Sequence, residues 1–470
     1  MALRIDQKIW RNRKKLIETM KSKKRIKQGE SALFEQDLEH LLDQRNDLYK
    51  LANRLPWERF EVAFEGYYAQ TGRPAKTIRQ MVGLLLVKQL KNVSDEEVCR
   101  LWSENPYVQY FCGEQFFQWG QPCNPSDLVH FRNRIGEKGV EEIFKATVYL
   151  HRDKIAEEEE LVADTTVQEA NVTYPTDVKL RRKIIEKMWK LGEDLGIKWD
   201  HSYRRKVPHL LYILRTRSNR LAKDRRKAEK KLKTYAGRLI REFERKADRI
   251  WVKAYREELD LYKGVLSQKR HDKSKIYSLH DPTVLCIGKG KAHKKWEFGR
   301  KASVAMTRDG GVIVGAVSFE ENIWDGDTLD MTLIQARDAS EKDYKSVLVD
   351  RGYQGKTEVS GMEILAPHKK KKTGTYYRQR KDRIRFARRA AIEPVIGHLK
   401  NDFRMARCFL KGALGASQNL MLAAAAWNLK KWINESSFCL NFARLFRTLV
   451  NALRAGLDPN LQPKCLSGGF

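Results

Sequence analysis

Cysteine is scarce and scattered: seven residues, at 99, 112, 123, 286, 408, 439 and 465, without one Cys-x-x-Cys pair. That spacing argues against a zinc ribbon, and the odd number against a secreted disulfide scaffold. No uncharged apolar run reaches the ~18 residues that a membrane helix needs. The nearest, Leu414 to Leu429, is alanine-rich and broken by Ser417, Gln418 and Asn419, so it reads as a core helix. The charged N-terminus has no apolar segment of the signal-peptide kind. No internal repeat, Ser-His-Asp set or Gly-x-Gly-x-x-Gly stands out. Gly288-Lys289-Gly290-Lys291 lacks phosphate-loop spacing, so no nucleotide cofactor is expected. Acid is short too: 60 Asp and Glu face 92 Lys and Arg, a net charge of +32. Such an excess calls for a polyanion, nucleic acid first and a membrane surface second. With 41% hydrophobic and 10% aromatic residues the chain can build real cores. Its 470 residues suit two to four domains.

The pattern changes along the chain. The first 30 residues hold 11 Lys and Arg against three acids. They read as a basic helical arm, a DNA contact or simply a solvated amphipathic helix. Residues 31–150 read as short helices. Ser94-Asp95-Glu96-Glu97 opens one, and Asn105-Pro106 closes it. Pro125-Ser126 opens another with Leu128, Phe131 and Ile135 at helical spacing and Gly136 as its stop. His130, Arg132, Asn133 and Arg134 fall on the outer face of that helix, as a helix-turn-helix-like DNA-binding module requires. A β-rich run, Leu161 to Thr166, follows. Residues 178–275 are helical and basic, with 32 Lys and Arg against 13 acids, a net of +19, and 215–260 reads as one long helix. Strand patterning resumes at Val284–Ile287, Phe298–Met306, Val312–Phe319, Ser346–Val349 and Met362–Leu365, so the basic stretch reads as an insertion. Asp309-Gly310-Gly311 is a hairpin turn. A helix is expected over Leu329–Arg337. Another spans Ile384–Arg407, with a break or late start near Ile392 because of Pro394. A further helix covers Ala416–Ile433.

Three acids stand out by context. Asp164 ends one apolar strand, Asp350 ends another (Val347-Leu348-Val349), and Glu393 lies on a basic helix. Carboxylates at the ends of neighbouring strands, with a third from a helix over the sheet, form an oxygen-donor set that suits Mg²⁺. Two such ions about 4 Å apart would activate a nucleophile and stabilise a leaving 3′-oxygen. Taken singly, an Asp after a strand is usually a turn or cap residue, and Asp177, Asp281, Asp325 and Asp327 are read that way. Asp177 is expected to cap the first helix of the insertion. Trp324 reads as core or as a stacking platform for a base.

The text around the three acids resembles the DDE-type transposases of bacterial insertion sequences, in the group called insertion-sequence family five. The matching blocks are Ala163 to Asn171, Tyr174-Pro175-Thr176-Asp177, Lys289 to His293, Glu297 to Lys301, Asp327-Thr328-Leu329, Val349 to Tyr353 and the Glu393 helix. The resemblance spans roughly 70 to 430. Around the glutamate the family pattern is Tyr, two residues, Arg, three residues, Glu, six residues, Lys. Arg389, Glu393 and Lys400 match it, and Phe386 stands where the family has Tyr. On one continuous helix these three would share a face.

The resemblance implies an α/β chain with a ribonuclease H-like catalytic domain, a mixed sheet with flanking helices. That domain covers 156–177 and 276–433 and is interrupted by the basic insertion 178–275. It is preceded by an all-α DNA-binding module, 1–155, and followed by a tail, 434–470. Asp164, Asp350 and Glu393 would be catalytic and bind two Mg²⁺, with Mn²⁺ as a substitute, while Arg389 and Lys400 would neutralise phosphate. Arg132 and Arg134 would contact DNA. So would Lys369, Lys370, Lys371, Lys372, Arg378 and Arg380, from a run with 11 Lys and Arg and one acid between His368 and Arg389. The implied partners are the element's terminal inverted repeats and target DNA, bound by a homodimer or larger assembly in the bacterial cytoplasm at the nucleoid. Two other classes share the motifs: a metal nuclease that only hydrolyses, and a non-catalytic DNA-binding derivative.

Overall fold

The computed structural model describes residues 36–68, 75–216, 219–269, 271–272, 274–288, 295–353, 355–367 and 376–456. At 376–379, 381–383 and 437–456 it describes the backbone alone. The basic arm, Lys289 to His293, Lys369 to Lys372, the Arg378 side chain and residues 457–470 lie outside the described residues.

Before the sheet run five helices of eight residues or more: α1 (Asp47–Arg54), α2 (Trp57–Phe64), α3 (Ile78–Leu90), α4 (Asp95–Glu104) and α5 (Pro125–Tyr149). Their starts follow from side-chain caps. Ser94 accepts the Glu97 N–H at 3.1 Å, and Asn124 and Asp127 close a reciprocal capping box ahead of Pro125. Gly136 breaks α5 as expected, at φ +64°, but the chain re-enters the helix and continues to Tyr149.

The sheet is mixed. Its strands are β1 (Glu160–Ala170), β2 (Leu285–Gly288), β3 (Trp296–Thr307), β4 (Ile313–Phe319), β5 (Ser346–Leu348), β6 (Glu358–Val359), β7 (Met362–Leu365) and β8 (Arg407–Cys408). The order is β2-β3-β1-β5-β7-β6, with β4 also on β3 and β8 on β1. β3 and β4 form the hairpin predicted at Asp309, and β3 runs antiparallel to β1. β5 lies parallel to β1 on its other side, and β7 parallel to β5. β3 is buried from Glu297 to Thr307, as suits a central strand. Gly299 lets it close on β1: a Cβ there would sit 1.9 Å from the Gln168 carbonyl oxygen.

Between β1 and β2 lie α6 (Asp177–Asp194), α7 (Lys206–Arg215), α8 (Ala222–Lys246) and α9 (Arg256–Ser267). They close a core of their own, with Ile184, Met188, Leu239, Phe243 and Tyr262 among its buried residues. The long helix expected over 215–260 is therefore broken. α8 stops at Ala247, and the chain turns back so that Leu259 and Tyr262 of α9 join the core that α8 lines. Thr176, not Asp177, caps α6, accepting the Lys179 N–H at 3.3 Å. Asp177 instead pairs with Lys275 at 2.9 Å.

After the hairpin come α10 (Leu329–Ser340), α11 (Tyr376–Arg389), α12 (Ile392–Asn401) and α13 (Gly412–Gly456). The helix expected over 384–407 breaks before Ile392, where Pro394 leads us to expect it, and ends earlier, at Asn401. Pro394 has no N–H to give the Ala390 carbonyl and is tolerated only in a first helical turn, so the second helix starts afresh at Ile392. The N-terminal helices share their core with the rest of the chain. α5 and α3 pack on α13, and one continuous core joins them to the sheet. All of α3 from Gln80 to Gln89 is buried, which explains its lack of a polar face.

Candidate functional site

Asp164 sits on β1, the strand between antiparallel β3 and parallel β5. Its side chain is 18% exposed, and Oδ1 accepts the Thr165 N–H at 2.8 Å. The parallel register pairs Val162 with Leu348. β5 ends at Leu348, so Asp350 follows two residues beyond the last paired position, on the strand next to the one that carries Asp164. Asp350 turns the chain out of β5, and its Oδ1 accepts the Gly352 N–H at 2.7 Å. Tyr353 is buried beneath this end of the sheet. Burial, and then the charges of Asp164, Asp325 and Asp350, raise its hydroxyl pKa well above the usual value.

α12 packs on β1 through its buried Ile392, Val395 and Leu399, and Glu393 stands exposed in its first turn. Arg389 ends α11, four residues earlier, across the Ala390-Ala391 break, so the single helical face expected for Arg389, Glu393 and Lys400 does not exist. Arg389 reaches the site by another route. Its Nη2 lies 3.8 Å from Asp164 Oδ2, and its Nε is buried with no hydrogen-bond partner among the described residues. Lys400 is half-buried near the end of α12.

Asp164 on β1 and Asp350 just past the paired strand β5 are hard oxygen donors, and Glu393 is a third on a helix that packs on β1. In chemistry this set fits a divalent cation. Among the described residues, however, no three Asp, Glu, His or Cys side chains converge closely enough to hold one.

Around this centre the structure adds residues that sequence reasoning leaves as turn positions. Asp325 Oδ1 pairs with Lys301 Nζ at 2.8 Å and accepts the Thr165 hydroxyl at 2.9 Å, while Lys301 also donates to the Ile323 carbonyl. The clue in the sequence is Arg300-Lys301, two adjacent cations inside a strand that is buried from Glu297 to Thr307. Trp324, next to Asp325, is 44% exposed and lies over Gly326. At the start of β1, Arg385 and Arg308 both pair with Glu160, and Arg388 pairs with Asp309 at 2.5 Å.

Of the DNA-contact candidates, Arg134 is exposed, its guanidinium 5.4 Å from the Tyr68 ring, and Arg380 is exposed. Arg132 is not on an outer face. Its guanidinium is 3% exposed and grips Asp95 at 2.7 and 2.9 Å, and Lys88 holds the same carboxylate at 2.8 Å. Helical spacing did not separate it from its exposed neighbours because α4 covers that part of α5.

Comparison with known proteins bears on this arrangement. Residues 36–134 match the family model described as Transposase domain (DUF772), and residues 269–429 match Transposase DDE domain. Members of the latter have a ribonuclease H-like fold and use divalent metal. A Rhizobium meliloti protein described as "Uncharacterized protein ORF8 in nfe locus" is 40% identical over 181 residues, 38% of this chain and 87% of that one. No solved structure matches. Among the described residues no helix is long and apolar enough to cross a membrane.

Proposed function

Because the chain belongs to the DDE-type transposases of insertion sequences, enzymes that act on DNA, we propose that it binds the terminal inverted repeats of its element, cleaves the DNA at both ends and joins the freed 3′-OH groups to target DNA. The observation that supports this reading is Asp164 on β1 with Asp350 just past β5, the parallel strand paired to it, and Arg389 3.8 Å from the first of them. The motif blocks also support placement in the family-five group.

Asp164, Asp350 and Glu393 would hold divalent magnesium, with manganese as a substitute. When bound, the metal lowers the pKa of an attacking water or hydroxyl and neutralises the leaving 3′-oxygen. The chain's own residues do the rest. Tyr353, kept neutral by burial, lies under the carboxylates without competing for charge. Arg389, with an unpaired buried Nε, offers donors to a phosphate oxygen and balances Asp164 until DNA arrives. Lys400 adds charge from α12. Thr165, Lys301 and Asp325 fix the β1 backbone beside Asp164, so that the carboxylate does not have to be ordered when substrate binds. The N-terminal helices, with Arg134 exposed, read the repeats. The cations of 178–275 and of the run through Arg380 hold backbone phosphate. Two ends require at least a homodimer, and a place at the nucleoid follows from the substrate.

The test uses purified protein, end DNA and Mg²⁺. Asp164→Asn, Asp350→Asn and Glu393→Gln should each abolish nicking and strand transfer while a gel shift of end DNA persists. Undiminished nicking in any one removes that residue from the centre. Nicking without joined product in the unaltered protein favours a nuclease, and neither product favours a DNA-binding derivative.

A further inference from the structure

Three arginines of α11 reach three acids of the sheet. Arg385 Nη2 pairs with Glu160, and its Nε lies 3.4 Å from the same carboxylate. Arg388 Nη1 meets Asp309 at 2.5 Å, and Arg389 Nη2 lies 3.8 Å from Asp164. Spacings of three and four residues put these arginines on one face of the helix.

The acids form a built dock. The β1–β3 register sets Glu160 beside Arg308, which donates to Glu160 through both its side chain and its backbone N–H. The turn carrying Asp309 is held in place by Glu158, which accepts the Asp309 and Gly310 N–H groups. Glu160 is 16% exposed. Burial alone would raise its pKa, but Arg385 and Arg308 outweigh that and keep it below the ordinary glutamate range, so it is anionic.

We propose that Glu160 and Asp309 are positioning residues for the transposition reaction: they seat α11 and so set where Arg389 stands relative to Asp164. The spacing explains why a seat is required. Arg385 and Arg389 are one turn apart, about 6 Å along the helix. Glu160 and Asp164 are about 13 Å apart along the strand. Only splayed side chains span both pairs, and the Arg385 contact is the close one while Arg389 is left at a looser distance. Among the described side chains of α11, Phe386 also packs on the main core, but it lies beside these arginines and leaves their reach to the acids to be set by the ion pairs. An unseated helix would drift toward phosphate and carry Arg389 off the carboxylate. The same seat leads into the Ala390-Ala391 turn and thus into the turn bearing Glu393.

This inference rests on Asp164 being part of the reacting centre. The experiment compares Glu160→Gln with Asp309→Asn, as a double variant, against the unaltered protein. It measures single-turnover cleavage of end DNA, the dissociation constant for that DNA, and melting temperature. The expected result is cleavage slower by about ten- to a hundredfold, as a misplaced catalytic group produces, with end affinity unchanged or tighter because cations are released. Arg385→Gln, which alters the helix partner and not the strand, should give the same split. Glu160→Asp, which keeps the charge, should restore most of the rate. Unchanged cleavage in the folded double variant, or equal losses of rate and affinity in Arg385→Gln, overturns the proposal. If Asp164→Asn itself still cleaves, the reading of the centre has failed. If it does not cleave but the dock variants do at full rate, only the dock has failed.

Discussion

Asp164 on β1 and Arg389 at the end of α11 face each other at 3.8 Å, with the arginine Nε buried and unpaired among the described residues. The approach is too long for a strong hydrogen bond, and so leaves the guanidinium with donors to offer. Arg389→Ala should slow cleavage by about a hundredfold or more, the usual cost of losing one donor to developing charge. End affinity should fall by no more than a few fold. Arg389→Lys should recover part of the rate, since it restores charge without the forked geometry. Equal effects on rate and binding, measured under single-turnover conditions, would make Arg389 a simple DNA anchor.

Phe386 occupies the place of the family's tyrosine, and its half-buried ring packs against the main core. Adding a hydroxyl could gain at most one hydrogen bond, about 0.5 to 1.5 kcal/mol, or roughly two- to tenfold in rate. Since the ring packs, Phe386→Tyr should leave strand transfer within about twofold. A rise toward tenfold would show that a hydroxyl there reaches phosphate.

Arg132 serves stability. With Lys88 and Asp95 it forms a buried charge cluster between α3, α4 and α5. Removing one member strands the others, so Arg132→Ala should cost about 3 to 5 kcal/mol in denaturant unfolding. Any loss of DNA binding should track the unfolded fraction. Binding abolished in a fully folded variant would restore Arg132 as a DNA ligand.

Asp95 also gives that stability a pH dependence. Burial alone would raise its pKa, but Arg132 and Lys88 outweigh it and hold the carboxyl below the ordinary aspartate value. A carboxyl lowered on folding stabilises the protein above its unfolded pKa and ceases to do so as pH falls through the folded value. The stability difference between the unaltered protein and Asp95→Asn should therefore shrink below about pH 4. A constant difference from pH 7 to pH 3 would refute the linkage.

The insertion offers a salt test. Arg226, Lys227, Lys230 and Lys231 are exposed on α8, whereas neighbouring Arg225 donates to the Thr216 carbonyl at 2.8 Å. Replacing the four exposed residues by Ser should weaken binding to any DNA sequence alike. The log K against log salt slope should flatten by about 0.9 for each phosphate that is no longer neutralised. Melting should change little, as exposed lysines usually contribute within about 0.5 kcal/mol. An unchanged slope would make this face an arm for a second copy rather than a DNA grip.

Most strand positions, the hairpin and the basic interruption were legible in the sequence because each is written locally, whereas Asp164, expected to end its strand, lies within β1, which runs on to Ala170. Alternating apolar residues mark a strand, Asp-Gly-Gly a hairpin, and an Asp after a Val-Leu-Val run a strand end. The family blocks carried the chemistry for the same reason. What local pattern could not distinguish was one arginine from another. Arg132, Arg134, Arg385 and Arg389 look alike in a basic chain, yet one is buried on Asp95, one is exposed, one seats a helix on Glu160 and one faces Asp164. Nor did helical spacing reveal that the N-terminal helices share the sheet's core, although Pro394 did announce the break before Glu393. Those outcomes depend on which surfaces meet. Partners far apart in sequence decide that, through burial and charge pairing, and neither leaves a periodic trace.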